Sequence, residues 1–291
     1  MTIQLAPLLP ATPQRAGHKK QNLSGKLAYT TFLPTKLQDV ELTYTAYLTA
    51  QVGNIRALLA ELATRYELLP AAKQAAFTQQ MIGREALASL KLTQAETITP
   101  DNPDLYWLKR AIPYAFTQLQ KLPISRRLLT EVHDMVMHDP SHYKQNPGEF
   151  RRSPIWIGRA DATLTKGVTF VPPAPDDMVA AFSDLEHYIN EEMGTEPLVK
   201  SALIHYQLEM IHPFLDGNGR VGRLVNQLYL KEAGLLPAPI LPLSEQLLTQ
   251  RFFYYTHLFG VEKRGAYETW VTYWLSCTQN AAESALAAIQ S

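Results

Sequence analysis

The sequence predicts an all-α protein with one small β-hairpin inserted in it. Three observations carry that expectation. Apolar residues recur at three- and four-residue intervals over most of the chain, as in Leu48, Val52, Ile55, Leu58, Leu59 and Leu62. Prolines and glycines punctuate these runs where helices would stop. Only the stretch from Tyr143 to Pro173 is rich in β-branched and aromatic residues set between glycines.

Taken in order, residues 1–36 read as an extended N-terminal arm. It holds Arg15, Lys19, Lys20, Lys26 and Lys36 with no acid before Asp39, and prolines at 7, 10, 13 and 34 prevent a continuous helix. A basic, proline-broken segment of this kind is expected to be a solvated tail packed partly along a helical body. Residues 37–100 form an N-terminal helical region, with one helix over 37–69 ended by Pro70 and a second over 71–92 that buries Phe77, Met81, Ala86 and Leu90. Residues 101–291 form the core. It starts with a helix over 104–122 interrupted by Pro113 and another that opens at Ser125, an N-cap residue type, and reaches Met137. The hairpin follows at 148–173, with runs Ser153-Pro154-Ile155-Trp156-Ile157 and Val168-Thr169-Phe170-Val171, closed by Pro172 and Pro173. Helical periodicity returns over 177–192, 196–211, 221–233, 245–260 and 266–289. Gly234 suits a helix C-terminus, and prolines at 237, 239 and 242 make the next connection extended.

Composition narrows the function. With 291 residues, 46% hydrophobic and 19% charged, the chain is an ordinary globular one, neither disordered nor fibrous. Lys plus Arg and Asp plus Glu are both 27, so no global field draws it to nucleic acid or to an anionic membrane. The single cysteine, Cys277, can form neither an internal disulfide nor a Cys-rich metal site, which suits a reducing compartment. The first twenty residues lack the pattern of a signal peptide, and no apolar run approaches the ~20 residues of a membrane-spanning helix. A cytoplasmic protein is expected.

One segment carries chemistry: His212-Pro213-Phe214-Leu215-Asp216-Gly217-Asn218-Gly219-Arg220-Val221-Gly222-Arg223. A helix should end near His212, because Pro213 restricts the residue before it and lacks an N–H. Gly217, Asn218 and Gly219 tolerate positive φ, so their N–H groups can converge into an anion-binding nest, and a helix starting near Arg220 adds its positive end. Arg220 and Arg223, three apart, reach one side of that helix's first turn. Asp216 is a carboxylate able to hold Mg²⁺ against phosphate oxygens, and His212 accepts a proton near neutral pH. Base, metal ligand, nest and arginines together suit transfer of a phosphorus-centred group to a hydroxyl. The alternative reading of the same residues is a glycine turn joining two helices, with His212 capping the first. Phe214 fills the core below the loop in either case. His205 and Glu209, lacking the His-Glu-x-x-His spacing, read as making structural hydrogen bonds rather than as metal ligands.

The string resembles the signature of the Fic family, H-x-F-x-[D/E]-G-N-G-R-x-x-R, at every fixed position, a match expected by chance on the order of 10⁻⁸. The resemblance extends to Pro147-Gly148-Glu149-Phe150-Arg151 with Trp156-Ile157-Gly158 and Phe170-Val171-Pro172-Pro173, similar to the family's flap, and to Leu243-Ser244-Glu245, Arg251, Tyr254-Tyr255 and Trp270 downstream. The N-terminal arm and the helices up to about Thr97 resemble the Fic N-terminal region. The family resemblance implies transfer of AMP from ATP to a Ser, Thr or Tyr hydroxyl of a target protein, releasing pyrophosphate, with ATP as substrate and Mg²⁺ as cofactor. His212 would be the base and Asp216 the Mg²⁺ ligand. The amides of Gly217, Asn218 and Gly219 and the Asn218 side chain would hold the α- and β-phosphates, and Arg220 and Arg223 the outer ones. Gly219 favours nucleotidyl transfer, because members that phosphorylate often lack it. The flap around Ile155, Trp156 and Ile157 would pair with an extended target segment, and Tyr254 and Tyr255 would line the adenine pocket unless they are core residues.

Many relatives carry an inhibitory helix, [S/T]-x-x-x-E-[G/N], whose glutamate pairs with the second motif arginine. The corresponding segment here is Ser89-Leu90-Lys91-Leu92-Thr93-Gln94, with Thr93 in the glutamate's place and Glu96 three residues on. Loss of that intramolecular brake is expected, which also counts against a glutamate-dependent removal of AMP. The chain ends soon after Trp274 and Ala285, leaving no room for the winged-helix module of many relatives. Alternatives are a Fic-fold transferase with another nucleotide or phosphocholine donor, an idle binding module, and a toxin silenced by a separate partner chain. Self-modification and a homo-oligomer remain open, and neither a membrane nor a nucleic-acid partner is expected.

Overall fold

A computed structural model describes residues 12–25, 28–94, 97–164 and 166–290. Its elements are α1 (Pro13–Ala16), β1 (Gly17–Asn22), β2 (Tyr29–Pro34), α2 (Ala46–Glu67), α3 (Ala71–Thr93), α4 (Pro103–Gln118), α5 (Arg126–Val136), β3 (Ile157–Thr163), β4 (Lys166–Phe170), α6 (Pro175–Glu191), α7 (Pro197–Ile211), α8 (Asn218–Glu232), α9 (Leu243–Thr249), α10 (Arg251–Arg264) and α11 (Tyr267–Gln290). The fold is mainly helical, with two small two-stranded antiparallel sheets, β1–β2 and β3–β4.

At the centre lies α7, whose residues from Leu198 to Ile211 are all buried. A helix apolar on every side belongs in a core, and α6, α8 and α11 pack around it. Two of its polar groups are tied to α11: Trp270 Nε1 donates to the Ala202 carbonyl at 2.8 Å, and Trp274 Nε1 to Ser201 Oγ at 3.3 Å. Outside it, α2 runs along α11, where Gln51 Nε2 donates to Ser276 Oγ at 2.9 Å. Capping follows the sequence, with Thr45, Asn102 and Ser125 side chains each accepting an N–H of the first turn.

Four expectations are corrected. In the arm, β1 and β2 pair as antiparallel strands rather than forming an extended tail. Tyr29, Thr31 and Phe32 are buried, and Phe32 N donates to the Val171 carbonyl at 2.9 Å. Arg15 also reaches Glu268 at 2.6 Å, so apolar burial and paired charge replace solvation. The proline at 113 does not interrupt α4, which runs from Pro103 to Gln118; one lost N–H bond is tolerated within a helix packed against α3, α5 and α8. The helix expected over 245–260 is split at Gln250 (φ −112°, ψ 33°) into α9 and α10. In the flap, only Ile157 of the run from Ser153 to Ile157 lies in a strand, and β3 carries irregular register between Gly158 and Thr163.

Candidate active site

The site is built where α7 stops and α8 begins. His212 closes α7 in the left-handed region (φ 50°), which turns the chain before Pro213. Its Nδ1 lies 3.2 Å from the Glu209 carbonyl. A carbonyl only accepts, so Nδ1 carries the proton and Nε2 keeps its lone pair. Burial, with the Arg151 cation adding to it, pulls the imidazole down to about 4, against the opposing hydrogen bond to Glu209. His212 is therefore a neutral proton acceptor at pH 7.

Arg151 fixes this turn, a role that the sequence reading did not assign. It is buried. Its Nε donates to the His212 carbonyl at 2.8 Å, its guanidinium to the Pro173 carbonyl at 2.5 Å and the Ser153 carbonyl at 3.2 Å, and its main-chain N to the Pro213 carbonyl at 2.9 Å. Both ends of the flap and the turn at His212 thus meet on one side chain. Its only signal in the sequence was its place in the run Pro147 to Arg151.

His133 of α5 was missed altogether. Its ring stacks on Phe214 at 3.8 Å with an interplanar angle of 4°. Gly148 N donates to its Nδ1 at 2.9 Å, so its Nε2–H donates to the Asp216 carbonyl at 3.0 Å. Burial lowers its pKa to about 4, keeping the neutral form that these two bonds require. Nothing in the local sequence marks a histidine that acts across 83 residues.

Between Phe214 and Asn218 the loop closes on itself. Phe214 N donates to Asn218 Oδ1, and Asn218 Nδ2 to the Phe214 carbonyl, both at 2.9 Å. The Asn218 side chain is thus spent on the loop, and what it offers a ligand is its main-chain N–H. Gly217 sits at φ 78°, and a Cβ there would meet Met137 Sδ at 2.9 Å. The N–H groups of Asn218, Gly219 and Arg220 open α8 with no acceptor in the turn before them. Asp216 holds the mouth: its side chain is 55% exposed, with Oδ1 accepting from Gly217 N at 2.6 Å and Oδ2 3.5 Å from Arg220. An exposed carboxylate beside open amides fits Mg²⁺ arriving with a polyphosphate, an ion that keeps most of its shell as water and phosphate oxygen. Among the described residues no group of three or more His, Cys, Asp or Glu side chains could hold a metal.

Arg220 and Arg223 are both buried. Arg220 lies 3.5 Å from Asp104 Oδ2 and donates to Met137 Sδ at 3.0 Å. Arg223 has one nitrogen, Nη1, without a partner, and a Cβ on Gly219 would come within 2.9 Å of it. The glycine is what lets that guanidinium lie under the loop.

Residues 123–230 match the model of the Fic/DOC family. Over these residues the chain carries a Fic/DOC domain. A protein named protein adenylyltransferase Fic from Drosophila grimshawi is 31% identical over 201 residues, covering 67% of this chain and 37% of that protein. The one from Drosophila willistoni is 33% identical over 165 residues, covering 55% and 29%. The chain thus spans about a third of the length of these curated relatives, 37% and 29%. Among solved structures, a Fic family protein from Desulfovibrio desulfuricans superimposes with a TM-score of 0.64 at 23% identity, covering 84% of this chain and 76% of the other. A Fic domain containing signaling protein from Bacteroides thetaiotaomicron gives 0.62 at 18% identity, covering 82% and 97%. The fold is shared.

Around the Fic motif, α3 lies directly against Arg223. Ser89 Oγ accepts from Arg223 Nε at 2.9 Å, and the Ser89 carbonyl from Nη2 at 2.7 Å. Thr93, one turn further, is exposed and its Oγ donates to the Leu90 carbonyl at 2.9 Å. Gln94 donates to Asp104 Oδ2 at 2.6 Å. Glu96 lies outside the described residues.

Tyr254 is corrected to a core residue. It is fully buried, with its hydroxyl 2.9 Å from His205 Nε2, the structural bond expected of that histidine. Tyr255 is half-buried, donates to the Leu92 carbonyl at 3.2 Å, and lines a groove of about 700 Å³ with Arg251, Phe252 and Phe259. In the flap, Trp156 is exposed with Nε1 donating to the Ala162 carbonyl at 3.0 Å, while Ile155 and Ile157 are half-buried. Glu209 and Glu85 are buried carboxyls pushed up to about 7 by desolvation; Glu85 accepts from Ser244 N at 2.8 Å.

Proposed function

We propose that this chain is an adenylyltransferase that moves AMP from ATP to a Ser, Thr or Tyr hydroxyl of a target protein. The observation that carries the reading is the free Nε2 of a neutral His212 beside the open amides of the loop. In the reaction the hydroxyl oxygen attacks the α-phosphorus, its proton passes to His212 Nε2, and the bond to the β-phosphate oxygen breaks as pyrophosphate leaves. The open amides of Asn218, Gly219 and Arg220 hold the α- and β-phosphate oxygens, and the Arg220 and Arg223 side chains the outer charge. Mg²⁺ held by Asp216 neutralises charge on those oxygens when bound. Tyr255 closes the adenine side of the groove, and the flap from Ile155 to Ile157 aligns the target segment.

The brake is absent in this reading. Threonine at position 93 brings no carboxylate to Arg223, so the enzyme works unaided. The experiment is intact-mass spectrometry of the protein with ATP and Mg²⁺, beside His212→Ala. Addition of AMP to the wild type alone supports the proposal; addition to both, or to neither in the presence of a panel of cell proteins, rejects it.

A further inference from the structure

Arg220 lies between two carboxylates. Its Nη1 is 3.5 Å from Asp104 Oδ2 at the start of α4, and its Nη2 is 3.5 Å from Asp216 Oδ2 at the mouth of the loop. Neither contact is a hydrogen bond. Nη2 donates to Met137 Sδ instead, and Nε and Nη1 have no hydrogen-bond partner among the described residues. A buried guanidinium thus keeps its place by balanced charge, with donors unused.

The two carboxylates differ in freedom. Asp104 is buried in the first turn of α4, where a helix N-terminus favours an acid, and both of its oxygens are engaged. Gln94 Nε2 donates to Oδ2 at 2.6 Å, and His142 Nε2 lies 2.5 Å from Oδ1. Asp104 therefore ties together the end of α3, the start of α4 and the 3₁₀ turn Pro140–Gln145 that leads to the flap. Asp216, by contrast, is more than half exposed at the loop. A fixed carboxylate and a mobile one share a single buried cation.

We propose that Asp104 is a positioning residue that, through Arg220, keeps the Asp216 carboxylate open for Mg²⁺. The proposal rests on the metal role given to Asp216 above. Without the Asp104 charge, Arg220 faces one carboxylate in a place screened from water, and closing the 3.5 Å gap to Asp216 satisfies its idle nitrogens. The carboxylate is then spent on a protein cation rather than on a metal. Gln94 extends the arrangement to α3. The helix that grips Arg223 through Ser89 also reaches Arg220, through Gln94 and Asp104. A purely structural Asp104 would act otherwise, lowering stability and nucleotide affinity alike whether Mg²⁺ is present or not.

The test is isothermal titration of the full chain with α,β-methylene-ATP, a nucleotide that cannot transfer AMP, without Mg²⁺ and over a range of Mg²⁺ concentrations. Asp104→Asn is expected to raise the half-saturating Mg²⁺ concentration about tenfold, the scale on which partners behind a metal ligand act, and to leave the metal-free affinity undiminished. In an Arg220→Gln background the same substitution is expected to add nothing, because it acts through that arginine. Gln94→Ala removes one bond to Asp104 at a half-buried position, and is expected to shift the Mg²⁺ midpoint the same way by about threefold. Equal losses with and without Mg²⁺, a fall in melting temperature at an unchanged midpoint, or a further shift in the Arg220→Gln background overturns the proposal. Wild-type binding that ignores Mg²⁺ overturns it as well. AMP transfer measured separately by mass keeps the two readings apart: a shifted midpoint without transfer rejects the chemistry and supports Asp104, and transfer with an unshifted midpoint rejects Asp104.

Discussion

Arg223 gives two of its three guanidinium nitrogens to a single residue, Ser89 of α3: Nε to its hydroxyl at 2.9 Å and Nη2 to its carbonyl at 2.7 Å. The third, Nη1, is left under Gly219 at the floor of the loop. Helix α3 therefore aims this arginine. Ser89→Ala removes one hydrogen bond to a charged group, worth about 1.5–3 kcal/mol, and is expected to raise KM for ATP several-fold with a smaller change in kcat. Ser89→Thr should restore the wild-type KM. A loss confined to melting temperature would show that the contact is only structural.

Thr93 lies one turn beyond Ser89, so a carboxylate placed there comes up beside Arg223. Thr93→Glu is expected to suppress ATP-dependent labelling about tenfold or more, by engaging the nitrogen that otherwise meets phosphate. Unchanged labelling would reject the register that aligns position 93 with the inhibitory glutamate.

The loop glycine has a steric duty. Gly219→Ala brings a Cβ to within 2.9 Å of Arg223 Nη1, the end of a buried side chain pinned by Ser89. Transfer activity is expected to fall more than thermal stability does. Equal activity of the variant and wild type, measured by incorporation of labelled AMP, would show that the guanidinium moves aside freely.

Burial of His212 sets an unusual pH dependence for the proposed reaction. With His212 held near 4 by burial, its neutral form persists well below pH 6.5, so the acid limb of kcat/KM is expected near pH 4 and the profile is flat for this group from pH 8 to 6. An acid limb near 6.5 would mean a hydrated imidazole.

Stability follows the same groups with opposite signs. His133, His205 and His212 have folded pKa values of about 4, 3 and 4, below the ordinary 6.5, so the stability they contribute is present above 6.5 and is lost as pH falls toward those values. Glu85 and Glu209, raised from 4.5 to about 7, contribute below 4.5 and lose it as pH rises through 7. The gain in melting temperature of Glu209→Gln over the wild type is expected to grow from pH 4.5 to 7 and then level off. A gain that does not change with pH would show an ionised Glu209.

The sequence by itself determined the helical class and the motif, because helical periodicity and a contiguous loop are local properties. Ser125 was fixed as a cap by the same local chemistry, and Phe214 as a core residue by its place between turn residues. Contacts between distant segments belonged to the tertiary structure. It turned the basic arm into a hairpin through Phe32 and Val171, put Tyr254 in the core on His205, and brought Arg151 and His133 to the catalytic turn. Those partners lie tens of residues or more apart in the chain. Whether a basic strand is solvated, or an aromatic ring lines a groove, depends on what surface is left for it to cover once α7 has taken the centre.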